Sequence, residues 1–232
     1  MTDLTIIYYT DNSLDRGFAA AVTQRLAATA AALHIRIVCV SQMLVDVDFV
    51  ADKICVGEIG RSWRSIYTQI IAGCEESSTR YVALCEHDVF YSFGHFHLRP
   101  PEDVDGIYDQ NCHRLLLKER VICLYRGGRS MSLLVGRREA VIDNLRDKLS
   151  LFKSENDFRG YFEPGKGEAE LGLHSFSAQP AAAGGEPSVQ ICNHGKNFSK
   201  KQKRSGDWHT DRLQDGRTID DLIAEWHLPV GD

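Results

Sequence analysis

The feature that most constrains the fold is a strand-like run in the middle of the chain that stops at two acidic residues. Residues 81–85 are apolar enough to form a buried strand, and Glu86, His87 and Asp88 follow at once. In an open α/β sheet the ligand crevice lies at the carboxyl ends of the strands. Two carboxylates at such an end are placed to hold a divalent cation against the phosphates of a ligand. The alternative, which these residues leave open, is a solvated turn.

The first forty residues predict a parallel strand, helix, strand unit. Residues 4–9 and 35–40 have the β-branched and aromatic composition of strands, and the segment between them carries apolar side chains at helical spacing. Such a unit belongs to an α/β sheet with a right-handed crossover. Thr10, Asp11 and Asn12 follow the first strand, where the base and ribose of a nucleotide commonly lie.

Composition narrows the class of protein. The 232 residues, 43% of them hydrophobic, suit one α/β domain with a real core. The seven cysteines include no C-x-x-C pair, so we expect neither a disulfide framework nor a structural zinc site. No apolar run is long enough to span a bilayer and the N-terminus lacks a secretory pattern, so we expect a cytoplasmic protein without membrane contact. The net charge of −5 argues against a wholly basic nucleic-acid binder.

Basic residues occur at two places that suit an anion. Arg61 and Arg64 lie in the first turn of a predicted second helix, where they oppose the helix dipole unless they meet an anion. Residues 189–192 predict a late strand, which is followed by His194 and by a basic run that includes Lys196 and Lys200. A solvated surface is the alternative for each of these charges.

These features together resemble the GT-A-type glycosyltransferases, in which a D-x-D-like motif binds a divalent metal that bridges the diphosphate of a nucleotide sugar. The resemblance is to a group of bacterial and phage proteins of this type and covers most of residues 57–210. It is carried by the segments GRSWRSIYTQIIAGCEESSTRYVALCEHDVFYSFGHF and NHGKNFSKKQKR, with PP between them. Its most specific parts are Glu86-His87-Asp88 and His194-Gly195-Lys196-Asn197. The motif begins with Glu instead of Asp, which leaves the contacts of the metal open.

The resemblance implies a single Rossmann-like GT-A domain of the α/β class, with a mostly parallel central sheet flanked by helices, over residues 1–232. Residues 1–92 would form the nucleotide-binding part, residues 93–195 the acceptor side, and residues 196–232 the basic tract and a C-terminal helix.

The resemblance also implies site residues and a cofactor, Mn²⁺ or Mg²⁺. Asp88 would be the firmest metal ligand, Glu86 a metal or ribose contact, and His194 a third ligand, with a structural histidine as the alternative for the last. The nucleotide sugar, most simply a UDP-sugar, would be bound by Thr10, Asp11, Asn12, Arg61, Arg64, Glu86, Lys196 and Lys200.

Catalysis and the acceptor are less constrained. Glu168 and Glu170 occupy about the place where inverting members keep their catalytic base, although a solvated loop is equally open and a retaining enzyme needs no obvious base. Double-stranded DNA with modified bases, as in phages, is one acceptor that fits the basic residues. A surface glycan or a small molecule is another. A non-catalytic nucleic-acid binding module and a metal-dependent phosphohydrolase or nucleotidyltransferase are the competing classes. A dinucleotide-binding oxidoreductase is disfavoured because no G-x-G-x-x-G follows the first strand.

Overall fold

The computed structural model describes residues 2–45, 50, 52–117, 120–124, 128–154, 160, 162–192, 209–210, 212–213 and 215–228. The strands in these ranges are β1 (Leu4–Thr10), β2 (Arg36–Ser41), β3 (Asp52–Cys55), β4 (Tyr81–Glu86), β5 (Val89–Phe90), β6 (Gly106–Asp109), β7 (Cys112–Leu116), β8 (Val121–Leu124), β9 (Leu134–Arg137), β10 (Ala178–Ala181), β11 (Ser188–Cys192) and β12 (His209–Thr210). The α-helices are α1 (Arg16–Leu33), α2 (Trp63–Glu76), α3 (Arg138–Leu151), α4 (Glu168–Leu171) and α5 (Ile219–Trp226).

The central sheet has seven strands in the order β10-β6-β9-β4-β1-β2-β3. Its neighbouring strands are parallel except that β9 runs antiparallel to both β4 and β6. The predicted α/β class with a mostly parallel central sheet is therefore confirmed. The carboxyl ends of β1, β2 and β4 lie at the same edge of this sheet, which is the edge where a ligand crevice is expected.

The alternation of side chains along β1 explains why helices cover both faces of the sheet. Leu4, Ile6 and Tyr8 point into one core, which α1 closes, whereas Ile7 and Tyr9 point into a second core, which α2 and α3 close. All five side chains are buried. A strand that is buried on both faces requires a nearly continuous apolar run, and this is the composition that predicted strands here.

A second sheet of five strands, in the order β12-β8-β7-β11-β5, lies beside the end of β4. The backbone N–H of Ile191 in β11 donates to the carbonyl of Asp88, with 2.8 Å between nitrogen and oxygen. Helices α1 and α5 cover one face of this sheet through a cluster that includes Phe18, Phe90 and Trp226. The second sheet takes strands from all three segments of the predicted division at residues 92 and 195, and that division stays a prediction.

No helix among the described residues is both long enough and apolar enough to cross a membrane.

Candidate functional site

A cavity of about 340 Å³ opens where β1, β2 and β4 end and α2 begins. Its lining combines acidic, basic, amide and aromatic side chains. They belong to Tyr9, Thr10, Asp11, Gln42, Gly60, Arg61, Ser62, Trp63, Ser65, Ile66, Gln69, Glu86, His87 and Asp88. The cavity thus brings together both acids of the motif after the central strand and two of the three polar residues after the first strand.

The position of Glu86 and Asp88 follows from how the backbone leaves β4. The N–H of Glu86 donates to the Tyr91 hydroxyl (2.8 Å), which in turn donates to the carbonyl of Ser132 (2.8 Å). Asp88 is anchored by the second sheet, because its carbonyl accepts from Ile191 and its Oδ2 lies 3.4 Å from Nε2 of Gln190. The two sheets therefore hold the two acids on either side of one turn.

Electrostatics at this turn favours a bound cation. Burial, together with the nearby charges of Asp88 and Asp11, raises the pKa of Glu86 to about 8, although Tyr9 and Ser132 lie beside its carboxyl and oppose the shift. A divalent ion would relieve this concentration of negative charge, and carboxylate oxygens are ligands that Mn²⁺ and Mg²⁺ accept. The donor set of Glu86 and Asp88 therefore fits the implied metal.

A complete metal site is not formed by the described residues alone. Within them, no group of three or more His, Cys, Asp and Glu side chains is arranged to hold an ion. The predicted third ligand, His194, lies outside the described residues, and so do Lys196 and Lys200. Their predicted roles stay predictions.

Asp11 also lines the cavity and is ionised. Its Oδ2 accepts from Nε of Arg61 at 2.5 Å, and its Oδ1 accepts from the backbone N–H (3.0 Å) and the hydroxyl (2.6 Å) of Ser13. Burial opposes ionisation of Asp11, but the hydrogen bonds from Ser13 and the charges of His87 and Arg61 outweigh it and lower the pKa of Asp11. The predicted donor residues Asp11 and Arg61 thus reach the cavity as an ion pair.

Thr10 and Asn12 differ in what their side chains do. The hydroxyl of Thr10 lies 2.8 Å from Nδ1 of His87 and accepts from the N–H of Asn12 (3.0 Å). Asn12 has a φ of 61°, and its Oδ1 accepts from the backbone N–H groups of Gln42 (3.0 Å) and Met43 (2.9 Å). Asn12 does not line the cavity. It joins the ends of β1 and β2, and its predicted contact with the donor stays a prediction that this placement does not support.

Arg64 is exposed and does not line the cavity. Its Nη1 donates to the carbonyl of Phe152 at 2.6 Å. Arg61 was predicted in the first turn of this helix but precedes α2, which begins at Trp63 after the N-cap Ser62. Arg61 therefore lies at the cavity, whereas Arg64, in the first turn of α2, reaches the end of α3. The predicted contact of Arg64 with a diphosphate stays a prediction that this placement does not support.

The two candidate catalytic bases have different surroundings, and neither lines the cavity. The carboxylate of Glu168 is buried and accepts from Nζ of Lys148 (2.9 Å), Nδ2 of Asn144 (2.9 Å) and the N–H of Gly165 (2.7 Å). Burial opposes its charge, but these hydrogen bonds lower the pKa of Glu168, whereas burial lowers the pKa of Lys148 despite the pairing. Glu168 therefore has a structural role in this arrangement. Glu170 is exposed.

Several cavity residues were not predicted from the sequence. Gln42 directly follows β2, so its position at a strand end was a usable signal. Gln69 lies inside α2 and gives no such signal. Trp63 borders the cavity and stacks on Phe162 with 4.0 Å between ring centroids and an interplanar angle of 9°. That pairing joins residues about a hundred positions apart, which local sequence patterns do not show.

Comparison with known proteins gives a result only at the level of structure. No protein-family model matches the sequence, and no curated protein matches it either. Among solved structures, a glycosyltransferase involved in the glycosylation of the major capsid of PBCV-1 superimposes with a TM-score of 0.53. The two proteins share 8% identity, and the match covers 83% of this chain and 94% of the other.

Two further structures show weaker likeness. TarS of S. aureus, solved with UDP-GlcNAc, has a TM-score of 0.47 at 9% identity over 84% of this chain and 60% of its own. The catalytic domain of Drosophila β1,4-galactosyltransferase 7 has a TM-score of 0.45 at 11% identity over 87% and 75%. The conclusion rests on the PBCV-1 enzyme and on the strand order: the chain has the mixed α/β fold of GT-A-type glycosyltransferases.

Proposed function

We propose that the protein is a metal-dependent glycosyltransferase that moves a sugar from a nucleoside diphosphate sugar to an acceptor hydroxyl. The observation that carries this proposal is the cavity at the end of β4. There, Glu86 and Asp88 face Asp11 and Arg61 at the carboxyl edge of a mostly parallel sheet. Carboxylates that repel each other at such an edge are suited to a cation and its phosphate ligand.

The roles of the described residues follow from their surroundings. Asp88 and Glu86 hold the Mn²⁺ or Mg²⁺, which supplies positive charge to the departing diphosphate when it is bound. Arg61 is partly exposed beside Asp11, so its guanidinium is positioned to contact a ribose or phosphate oxygen. Thr10 and Asp11 present side-chain oxygens to the ribose. The donor is a UDP-sugar in this proposal.

The segment after β11 completes the site in our proposal. Ile191 is hydrogen-bonded to Asp88, and β11 ends one residue later at Cys192. The chain therefore leaves the second sheet close to the acidic turn. This supports the prediction that His194 is the third metal ligand and that Lys196 and Lys200 neutralise the diphosphate.

Of the two candidate bases, Glu170 is the better one. Glu168 is buried, and its Oε1 accepts three hydrogen bonds, one of them from a buried lysine. Burial opposes its charge, but the hydrogen bonds from Lys148 and Asn144 lower the pKa of Glu168, which makes it a weaker base for an acceptor hydroxyl. Glu170 is exposed on the same short helix α4. We therefore expect Glu170→Gln to lower turnover much more than it changes donor affinity.

The acceptor is proposed from charge and placement. A modified base in DNA remains one candidate, but Arg137 and Arg138, two basic residues that could contact its phosphates, are at the far end of the sheet. Arg137 pairs with Tyr81, the first residue of β4, whereas the site is at Glu86, the last. Arg137 and Arg138 both donate to backbone carbonyls. A surface glycan is therefore the better first acceptor to test, and the PBCV-1 neighbour, which is involved in the glycosylation of the major capsid, supports that choice.

The donor half of the proposal is tested with Mn²⁺ and a panel of nucleotide sugars, by thermal shift and by release of nucleoside diphosphate. Asp88→Asn keeps the shape of the side chain and removes its charge. The matched control is Asp103→Asn, which changes an exposed acid outside the cavity. We expect stabilisation by one nucleotide sugar that needs Mn²⁺, is lost in Asp88→Asn and is kept in Asp103→Asn. Nucleotide-sugar binding that does not depend on Mn²⁺ or on Asp88 would contradict the proposal. Binding of nucleic acid without any binding of a nucleotide sugar would favour a non-catalytic binding module.

A further inference from the structure

A second cavity, of about 800 Å³, lies on the other face of the central sheet from the cavity at the end of β4. Its lining includes Tyr8 and Cys39, two buried strand residues of the core that α1 closes, whereas the first cavity is lined by Tyr9 and by α2. Among the described residues, only Thr10 borders both cavities. The second cavity is therefore a separate space beside the proposed donor site.

The sequence of α1 explains why this space is open. Ala19, Thr23 and Ala27 line the second cavity at intervals of four residues, so they form one stripe of the helix. An alanine side chain ends at Cβ and leaves the space between the helix and the sheet unfilled. Leu26, next to this stripe, is buried in the core. The second cavity is consequently a gap between a stripe of small side chains and the strands that α1 covers.

The segment after β2 adds large apolar side chains to this lining. Met43 is 46% exposed and Leu44 is 88% exposed, and both line the second cavity together with Val45. Hydrogen bonds hold the segment in place, since the N–H of Met43 donates to Oδ1 of Asn12 (2.9 Å) and its carbonyl accepts from the hydroxyl of Ser41 (2.6 Å). Burial of such side chains against a ligand is favourable because apolar surface leaves water. The second cavity thus favours a ligand with an apolar body.

Charge identifies the polar end of that ligand. Arg16 is exposed, is the first residue of α1 and is the only charged side chain in the described lining of the second cavity. A cation in the first turn of a helix opposes the helix dipole, and a bound anion interacts favourably with both. The volume of the cavity lies within the range of small-molecule sites. We infer that the second cavity binds an amphiphile with one apolar chain and an anionic head, a carboxylate or a phosphate, with the chain against Leu44 and the head at Arg16.

Calorimetry with the full chain, without nucleotide or Mn²⁺, tests this inference independently of the proposed function. The ligands are decyl phosphate, decanoate, decyltrimethylammonium and inorganic phosphate, with each amphiphile below its critical micelle concentration. The ammonium head cannot pair with Arg16, so decyltrimethylammonium should bind roughly 10-fold or more weakly than the better anionic amphiphile. The comparison of decyl phosphate with decanoate distinguishes the two heads. The inference would be overturned if neither anionic amphiphile bound saturably, if the cationic one bound equally well, or if inorganic phosphate bound as tightly as decyl phosphate.

Substitution then locates the ligand. Ala20 is exposed and lines the second cavity, so Ala20→Phe should fill the space without disturbing the core and lower the affinity for the better anionic amphiphile roughly 10-fold or more. Ala32→Phe is the matched control, because Ala32 is exposed on the same helix and does not line the second cavity. Equal affinities of the two variants would show that the chain does not lie in this cavity.

The contact of the head is tested by a ratio that a general loss of structure does not change. In Arg16→Gln the affinities for the anionic and the cationic amphiphile should become closer to equal. Arg80→Gln changes an exposed arginine that does not line the second cavity, and it should keep the ratio of the unmodified protein. An unchanged ratio in Arg16→Gln would overturn the assignment of the head to Arg16.

Discussion

At the scale of single residues, two glutamates have opposite electrostatic surroundings. Glu86 is placed among other acids and is unstable as a carboxylate until a cation arrives, whereas Glu168 is placed beside Lys148 and is stabilised in its charged form. A negative charge on Glu86 would need a bound cation at the cavity, whereas the charge of Glu168 is compensated by Lys148 within the protein. This difference separates a candidate ligand site from a structural ion pair.

The Glu168 to Lys148 pair gives a prediction about stability and pH. Lys148→Met removes the cation from a fully buried pair, and breaking such a pair costs about 3–5 kcal/mol of unfolding free energy at pH 7. The pKa of Glu168 is lowered in the folded protein, so its stabilising contribution is present above its unfolded pKa of about 4.3 and is lost as the pH falls through the folded value. In Lys148→Met the buried Glu168 loses its partner, and burial then raises its pKa, so that it is protonated at pH 4. Urea unfolding at pH 7 and pH 4 should therefore show that the cost of Lys148→Met shrinks in acid.

The double variant Lys148→Met with Glu168→Gln serves as the control for that experiment. It leaves no buried charge, so we expect it to recover part of the stability at pH 7 and to lose most of the pH dependence. A cost of Lys148→Met that is the same at both pH values would show that the pair does not carry the effect.

At the scale of elements, the site depends on how closely α2 approaches the sheet. A Cβ atom added at Gly73 would lie 2.6 Å from Cγ2 of Ile7 and 2.9 Å from Cγ2 of Val40. The helix that carries Trp63 and Gln69 to the cavity is therefore seated directly on β1 and β2. The spacing needs a residue without a side chain at that position.

Gly73→Ala should accordingly destabilise the fold. Overpacking of a core typically costs about 1–3 kcal/mol, against a gain of up to about 1 kcal/mol from the higher helix propensity of alanine. Gly17→Ala is the matched control, because Gly17 is an exposed residue in the first turn of α1. This variant should show only the gain in stability from the higher helix propensity of alanine. Urea midpoints of the two variants should move in opposite directions, and a stabilised Gly73→Ala would contradict the close packing.

At the scale of the whole molecule, the acidic turn is held between two sheets. The central sheet ends at Glu86, the second sheet begins at Val89, and Ile191 bonds to Asp88 between them. The second sheet is covered by α5, whose Trp226 stacks on Phe90 with 4.2 Å between ring centroids. A distant helix therefore packs on Phe90, two residues from Asp88, which lines the cavity.

Trp226 gives a prediction at this scale. Trp226→Ala removes a buried ring, and such truncations cost about 3–5 kcal/mol of unfolding free energy. Trp226→Phe keeps a ring in the stack and should cost clearly less. Because Phe90 is two residues from Asp88, we also expect Trp226→Ala to weaken Mn²⁺-dependent nucleotide binding, measured by calorimetry at a temperature where the variant is folded. Unchanged binding in a destabilised variant would show that the helix supports the fold without supporting the site.

The sequence by itself determined the α/β class, the strand from Tyr81 and the acids at its end, because strands buried on both faces are nearly continuous apolar runs and amphipathic helices repeat every 3.6 residues. Only the tertiary structure decided which polar side chains face the cavity. Asn12 and Glu168 are residue types that often bind ligands. In this fold, however, the side chain of Asn12 accepts hydrogen bonds from backbone N–H groups, and Glu168 forms an ion pair with Lys148. Gln69 has no local signal, yet two strand ends orient it. The physical reason is that these hydrogen bonds join groups that are far apart in the chain, and the local periodicity of a sequence does not predict such long-range contacts.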